Sequence, residues 1–493
     1  MTSDSTRKTA QVLALTALAA AVAGAQLSAT ANSTRYPTMT FPTHSVQTYQ
    51  RQVYGFHRYT NGTLRTTYVS GGATLPALAY EGSTALTTNP STPVAGSVFG
   101  YYQSVLSGDH TVIQYCQTGS GFGKKVYDGL SGATAGVNGP CAPLGTKAGS
   151  TNGFGAPQVG TGFPITEPDM DASDSPLSQS EYSTFVTNKA ATRGEPTELP
   201  EIAGSVAMFY NDPDAGGTPI HITDSQICGI VRGTITNWSQ LGFKSRPLTL
   251  VYRSDGSGTT FSFSNHLSAV CGAPTITTSQ QFFDSTSVNC PCVVTSVPAG
   301  ASGQSGNAGV ASFIAANTGT IGYVEAANAN SSRVPASGID YALVNGFDPI
   351  KNLPEAAAKL SGTTSVVKDS IVVVTTGSAA TTAPLSPAAA HAGCVLLVKP
   401  AAYSHVSGGY PILAVSYFEL AFKGNGSNSA KLRTLAQELT KSGIIYNNQV
   451  GTKNITTVDA ATTTKGTGTT GYSTLGISFQ TPVKTASNAC IGS

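Results

Sequence analysis

Leu248-Thr249-Leu250-Val251-Tyr252-Arg253-Ser254-Asp255-Gly256-Ser257-Gly258-Thr259-Thr260 is the stretch on which the reading of this chain turns. It opens on a compact apolar run, passes through a turn with two glycines, and continues from Phe261 into another apolar stretch. That order predicts a strand, a glycine-rich turn and a helix start. Such a junction gathers unpaired backbone N–H groups and the hydroxyls of Ser257 and Thr259 at the positive end of a helix, where an anion is favoured. Arg253 adds a planar fork of donors suited to phosphate or carboxylate. A strand–helix turn capped by Ser or Thr needs no ligand, so this piece alone leaves both readings open.

Two further turns are of the same kind. Gly71-Gly72-Ala73-Thr74-Leu75-Pro76 precedes a helical stretch and offers the Thr74 hydroxyl with backbone donors. Thr118-Gly119-Ser120-Gly121 offers Ser120. The second is not a nucleotide phosphate loop: Thr118 stands where that motif needs its first Gly, and Lys125 where it needs a hydroxyl. A fourth piece is Asp171-Ala172-Ser173-Asp174-Ser175-Pro176-Leu177-Ser178. A carboxylate beside an anion site repels a fully ionised oxyanion but accepts a hydrogen bond from a protonated one. Phosphate keeps a proton at neutral pH and sulfate does not, so one acidic acceptor among donors selects phosphate. An Asp in a turn can equally cap its own backbone.

Taken together, Gly-Ala-Thr-Leu-Pro, Thr-Gly-Ser-Gly, Ala-Ser-Asp-Ser-Pro-Leu-Ser and Arg-x-Asp-Gly-Ser-Gly-Thr-Thr, in this order, resemble the ligand loops of the phosphate-binding proteins of bacterial ABC importers. The secreted DING branch of that group is especially similar. Ile222-Thr223-Asp224, Thr236-Asn237-Trp238 and Gly319 to Glu325 support the resemblance, which covers about residues 66–450. It implies an α/β, two-lobed type II periplasmic-binding-protein fold with two crossover strands, near Tyr210 and Glu325. The first lobe would be discontinuous, 66–208 and 327–493, with 209–326 as the second. The phosphate contacts it implies are Thr74, Leu75, Ser120, Asp174, Arg253, Ser257, Gly258 and Thr259. Arg253 would touch both the ligand and Asp174, and Asp255 would orient Arg253. No catalytic residue, cofactor or metal is implied. The partners would be inorganic phosphate and an ABC permease. The chain departs from the family in a longer stretch between Ser120 and Asp174, in its cysteines, in the N-terminal extension and after about residue 450.

The rest of the chain sets the context. Only 11% of the 493 residues are charged, against roughly 25% in an average soluble protein. The net charge of +2 gives no basis for a nucleic-acid partner. Arg7 and Lys8 precede an apolar stretch, Val12 to Ala23, followed by Ala23-Gly24-Ala25 and Ala29-Thr30-Ala31. This reads as a signal peptide, residues 1–31, ahead of a polar extension, 32–65. The stretch is shorter than the about 20 residues that span a bilayer, and no later segment reaches that length. A periplasmic or secreted protein, not inserted in a membrane once the signal is cleaved, is expected.

Eight cysteines in an exported chain point to disulfides, with Cys116–Cys141 and Cys228–Cys271 suggested by proximity. Cys290-Pro291-Cys292 is the one close pair, which is not a zinc spacing. Ser205–Tyr210, Leu248–Tyr252, Ile371–Thr375 and Cys394–Val398 read as strands buried on both faces of a parallel sheet. Leu432, Leu435, Ala436 and Leu439 repeat at helical spacing up to Gly443, and residues 133–165 read as a long loop pinned by Cys141. Against capture of phosphate stands a secreted DING-like alkaline phosphatase acting on phosphate esters. A metal-dependent phosphatase would cluster Asp and His, yet His44, His57, His110, His221, His266, His391 and His405 form no local ligand motif. A Gly-x-Ser-x-Gly elbow is missing too. A surface adhesin, the third reading, would not need Arg253, Asp174 and the hydroxyl loops together.

Overall fold

Pro196–Asn211 is one continuous strand of 16 residues, buried along its whole length, and the sheet is organised around it. A computed structural model describes residues 56–60, 63–94, 97–103, 112–156, 167–274, 276–287, 290–361, 365–438, 471–475 and 477–492. The signal segment 1–31 and the extension up to residue 55 lie outside the described residues.

The first elements are β1 (Phe56–Thr60), β2 (Thr63–Gly72), α1 (Ala77–Glu81), β3 (Val112–Gln117), α2 (Ser120–Asp128), β4 (Met170–Ser173), α3 (Gln179–Arg193) and β5 (Pro196–Asn211). They are followed by β6 (His221–Ile222), α4 (Asp224–Arg232), β7 (Thr249–Arg253), α5 (Gly258–Val270), β8 (Ser302–Gln304), α6 (Gly306–Ala316) and β9 (Thr320–Glu325). Then come α7 (Ala326–Ser332), β10 (Ile339–Tyr341), β11 (Leu343–Val344), α8 (Leu353–Ala358), β12 (Val366–Lys368), β13 (Ser370–Val373), β14 (Thr381–Pro384) and β15 (Leu396–Val398). The chain closes with α9 (Pro400–Tyr403), β16 (Leu413–Ala421), α10 (Ser429–Glu438), β17 (Tyr472–Thr474) and α11 (Ile477–Cys490).

The main sheet runs β1-β2-β4-β16-β5-β9-β7-β8, with β3 beside β2 and with β10 and β17 on β5. The long strand divides its partners. Its first part, up to Ser205, pairs antiparallel with β16, and its last part, from Val206, pairs antiparallel with β9. On one side β2 lies parallel to β3 and β4; on the other β7 lies parallel to β8 and β9. Each side is therefore an α/β unit, and β5 passes from one to the other. This is the two-lobed arrangement, with a strand shared between lobes. After β9, β10 extends the ladder on Phe209–Asn211 and β11 pairs with β6.

Burial predicted strands where strands occur, but not always their direction. β5 is antiparallel to both main neighbours, and β13 and β15 sit in antiparallel pairs with β14 and β12. A fully apolar run reports burial on both faces, and a long strand sandwiched between helices gains that burial in either orientation. The parallel reading holds for Leu248–Tyr252, which contributes to β7. The helical spacing around Leu432 forms α10; Leu439 to Gly443 lie outside the described residues.

Four disulfides join Cys116–Cys141, Cys228–Cys271, Cys290–Cys292 and Cys394–Cys490. The last ties α11 to the chain just before β15. The described part of the 133–165 segment carries two short 3-10 turns, consistent with a loop. Among the described residues no helix is long and apolar enough to cross a membrane.

Candidate functional site

Two parallel sets of strands, β2, β3 and β4 on one side and β7 and β8 on the other, run opposite to each other, and the loops after their carboxyl ends meet. In open α/β sheets that is where ligands lie. β7 ends at Arg253, and Ser257 caps α5 by accepting from the Thr260 N–H at 3.1 Å. Gly258 follows because nothing larger fits: a Cβ there would sit 2.4 Å from the Asp174 Cβ and 2.6 Å from Ser120 Oγ. The three loops that the sequence singled out separately are thus in mutual contact at this glycine.

Ser120 Oγ accepts from the backbone N–H of Gly258 at 3.1 Å and of Asp174 at 3.2 Å. A hydroxyl has two acceptor lone pairs and one hydrogen. With both lone pairs engaged, the Ser120 hydrogen is left to donate. Arg253 is fully buried and clamped by Asp255: its Nε donates to Oδ1 at 2.7 Å and Nη2 to Oδ2 at 2.5 Å. Burial works against its charge, and the Asp255 carboxylate more than offsets it, holding the guanidinium above its ordinary pKa. Asp255 Oδ1 also accepts from the Gly306 N–H at 3.1 Å, so it is fixed from a second side. Nη1 of Arg253 points the other way, toward Thr259 Oγ1 at 3.4 Å and Asn307 Oδ1 at 3.2 Å. Asn307 in turn donates from its backbone N–H to Thr74 Oγ1 at 3.4 Å and from Nδ2 to Thr259 Oγ1 at 3.4 Å. Leu75 packs its side chain on Gly204 of β5 and gives its carbonyl to the Tyr472 hydroxyl, so what it can offer an anion is its N–H.

Asp174 is buried, with its Cα and Cβ packed against Gly258. Its Oδ1 accepts from the Ser416 hydroxyl at 2.5 Å, while Oδ2 is buried with no hydrogen-bond partner among the described residues. Burial pushes its pKa up to about 7, against the opposing pull of Ser416, Arg253 and Lys124. The expected direct contact between Arg253 and Asp174 is not made: the guanidinium is committed to Asp255, and the two groups sense each other only through their charges.

Thr74, Leu75, Ser120, Asp174, Arg253, Ser257, Gly258, Thr259 and Asp255 therefore lie in one region, all of them buried. Sequence reasoning missed Asn307, Ser416 and Tyr323. Asn307 had a usable signal: Ser302–Gln304 followed by Gly306-Asn307-Ala308-Gly309 is a shorter strand–glycine–helix junction of the same kind. Ser416 lies mid-strand with no local signal. Tyr323 donates structure from behind, bonding Thr260 Oγ1 at 2.7 Å and the Arg253 N–H at 3.1 Å while stacking on Phe263. The loop pinned by Cys141 also reaches the site. Its Leu144, Gly145 and Thr146 line a small cleft with Thr74, Asp255 and Gly306.

Residues 146–418 match the PBP superfamily domain. Alkaline phosphatase L of Pseudomonas aeruginosa is 30% identical over 266 residues, 53% of this chain and 57% of that protein. Phosphate-binding protein PstS of Xylella fastidiosa is 31% identical over 223 residues, 43% of this chain and 55% of that protein. The chain thus spans a little over half the length of these curated relatives. Among solved structures, the phosphate-bound periplasmic phosphate-binding protein PfluDING superposes with TM-score 0.53 at 22% identity, over 87% of this chain and 99% of that one. A human phosphate-binding apolipoprotein gives 0.54 at 18% identity, over 86% and 98%. At such identities these two likenesses speak for the fold.

Proposed function

The chain belongs to the PBP superfamily, and on that premise we propose that it captures inorganic phosphate in the cleft between its lobes, outside the cytoplasm. The observation that carries this reading is the pairing of free donors with one free acceptor. The Ser120 hydrogen and the Thr259 N–H are left over from the protein's own bonds, the Nη1 group of Arg253 is engaged only by contacts of 3.2 and 3.4 Å that a ligand oxygen can replace, and Asp174 Oδ2 is a buried acceptor with no partner among the described residues. A tetrahedral oxyanion that still carries a proton satisfies both. Thr74, Leu75, Ser257, Gly258 and Thr259 complete the set of contacts. We place the first lobe at 66–208 and from about Leu353 to the C-terminus, because β10 and β11 pair with strands of the 209–326 segment. An ABC permease as the receiving partner, with a periplasmic or secreted location, belongs to the same proposal.

The relative named as an alkaline phosphatase raises ester hydrolysis as the second reading. The geometry favours binding. A serine or threonine nucleophile needs a base beside it, and the hydroxyls of Ser120 and Thr259 instead face N–H donors. Titration calorimetry with inorganic phosphate, run beside a chromogenic phosphate ester assay, decides between them. Binding at micromolar Kd or tighter, about −8 kcal/mol, without turnover on the order of 1 per second, is the expected result. Turnover at that level abolished by Arg253→Ala would overturn it.

A further inference from the structure

Away from the cleft, three residues distant in sequence come together beside α5. Asp224 opens α4, His266 lies in α5, and His405 lies in the loop after α9. One ligand-capable atom from each lies within 4.8 Å of the others. His266 is fully buried, Asp224 is partly buried, and the His405 side chain is 43% exposed, so the cluster opens to solvent on one side.

The hydrogen bonds of His266 make this more than a chance cluster. Its Nδ1 lies 2.8 Å from the Ser404 carbonyl oxygen, which can only accept, so Nδ1 carries a hydrogen. The neutral ring then presents a lone pair at Nε2, and that atom faces Asp224 Oδ1 at 3.0 Å. Two acceptors at that separation require a positive charge between them, either a second proton or a metal ion. A histidine whose far nitrogen is anchored to a backbone carbonyl is the arrangement that orients imidazole toward a metal. His405 Nδ1 lies 3.8 Å from the other oxygen of the same carboxylate. A tetrahedral ion with bonds of about 2.0–2.1 Å to nitrogen and oxygen separates its ligand atoms by about 3.3 Å. The histidine nitrogens lie 3.0 and 3.8 Å from the two separate oxygens of the carboxylate, close to that value, and the exposed His405 ring is free to make the remaining adjustment.

We propose that Asp224, His266 and His405 form a binding site for a borderline divalent cation of the zinc type, leaving at least one position open to solvent. Two imidazoles and a carboxylate suit such ions, whereas magnesium and calcium prefer all-oxygen sets. The cation links α4, α5 and the loop after α9. The Asn265 side chain already holds α9, just before that loop, by donating to the Pro400 carbonyl at 2.9 Å. The site therefore acts as a cross-link between segments far apart in the chain, adding to the disulfides. Those disulfides occupy all eight cysteines, so no thiolate competes for the ion.

The test uses the untagged full chain, stripped with a chelator and dialysed into phosphate-free buffer at neutral pH, titrated with zinc chloride by calorimetry. One equivalent should bind at micromolar Kd or tighter, with magnesium giving no comparable isotherm. Asp224→Asn and His405→Ala should each weaken that binding by about tenfold or more. Zinc should raise the melting temperature of the wild type and not that of His405→Ala. His405 is exposed, so this variant should melt like the wild type without zinc, which separates loss of the site from loss of the fold. Absence of a saturable zinc site, or unchanged affinity in both variants, would overturn the proposal.

Discussion

Around Arg253, buried charge is neutralised by a counter-charge and by aimed hydrogen bonds; around Lys124, just behind the same loops, it is neutralised mainly by protons. The first region holds the Arg253–Asp255 ion pair, with the remaining nitrogen of the guanidinium bonded to Thr259 and Asn307. The second packs Asp128, Asp171, Glu181, Glu198 and Glu419 near one buried lysine. Asp171 and Glu419 sit opposite each other across the β4–β16 ladder. Lys124 donates to Glu181, whose pKa is held below its ordinary value because the ion pair and the Ser178 bonds outweigh burial. The other carboxyls have no such partner. Burial, reinforced by neighbouring carboxylates, raises Asp171 and Glu198 well above the ordinary range, Glu419 to about 7 and Asp128 to about 9. Asp174 sits between the regions, and both Arg253 and Lys124 pull on it. The contrast teaches that a buried acid stays ionised here only where a cation is committed to it, and that the loop bearing Asp174 joins a donor-rich cleft to a protonated acid cluster.

The largest effect should come from Arg253→Ala. Hydrogen bonds from a charged group contribute roughly 1.5–3 kcal/mol each, and Asp255 would be left buried without its partner. Phosphate affinity should fall about a hundredfold by calorimetry; an unchanged Kd would remove Arg253 from the site.

Next in size is a pH dependence of stability that belongs to the acid cluster. A carboxyl whose folded-state pKa is raised holds a proton that the unfolded chain has already released between the two values. Stability therefore falls as pH rises from about 4 through the folded values of about 7 for Glu419 and about 9 for Asp128. Glu181, whose pKa is lowered, works in the opposite sense and loses its contribution only in acid. The melting temperature of the wild type should drop between pH 5 and pH 9, and Glu419→Gln should flatten that drop by removing one group that must ionise. A melting temperature that rises over this range would refute the account of the acid cluster.

Smaller again is Ser120→Ala, which removes one neutral donor. It should cost about 1 kcal/mol, roughly fivefold in phosphate affinity, well short of Arg253→Ala. If the two variants weaken phosphate equally in calorimetry, the ranking of charged over neutral donors fails.

The parts of this arrangement that the sequence discloses are the local ones. Gly258 with Ser257 and Thr259, or Gly72 with Thr74, is a strand–turn–helix junction written in consecutive residues, and each such junction proved to end at the cleft. What depends on register or on distant pairing was not legible. Ser416 reaches Asp174 only because β16 lies beside β4, and the same pairing brings Glu419 to Asp171. The His266–Asp224 contact depends on how α5 packs beside α4, and His405 joins from far along the chain. The antiparallel course of β5 was hidden too, since an apolar run records burial but not direction.

The central claim is that Asp174 meets the proton of a bound oxyanion, and its most direct test is the ratio of phosphate to sulfate affinity measured by calorimetry on both sides of pH 7. Burial places the Asp174 pKa at about 7. At pH 8 the carboxylate should be an acceptor only, and sulfate should bind about a hundredfold more weakly than phosphate, an unpaired acceptor facing an ionised oxygen costing roughly 3 kcal/mol. At pH 5.5 Asp174 should be protonated and able to donate, so the preference should shrink. Asp174→Asn should show the small ratio at both pH values. A phosphate-to-sulfate ratio that is the same at pH 5.5 and pH 8, and the same in wild type and Asp174→Asn, would contradict the account.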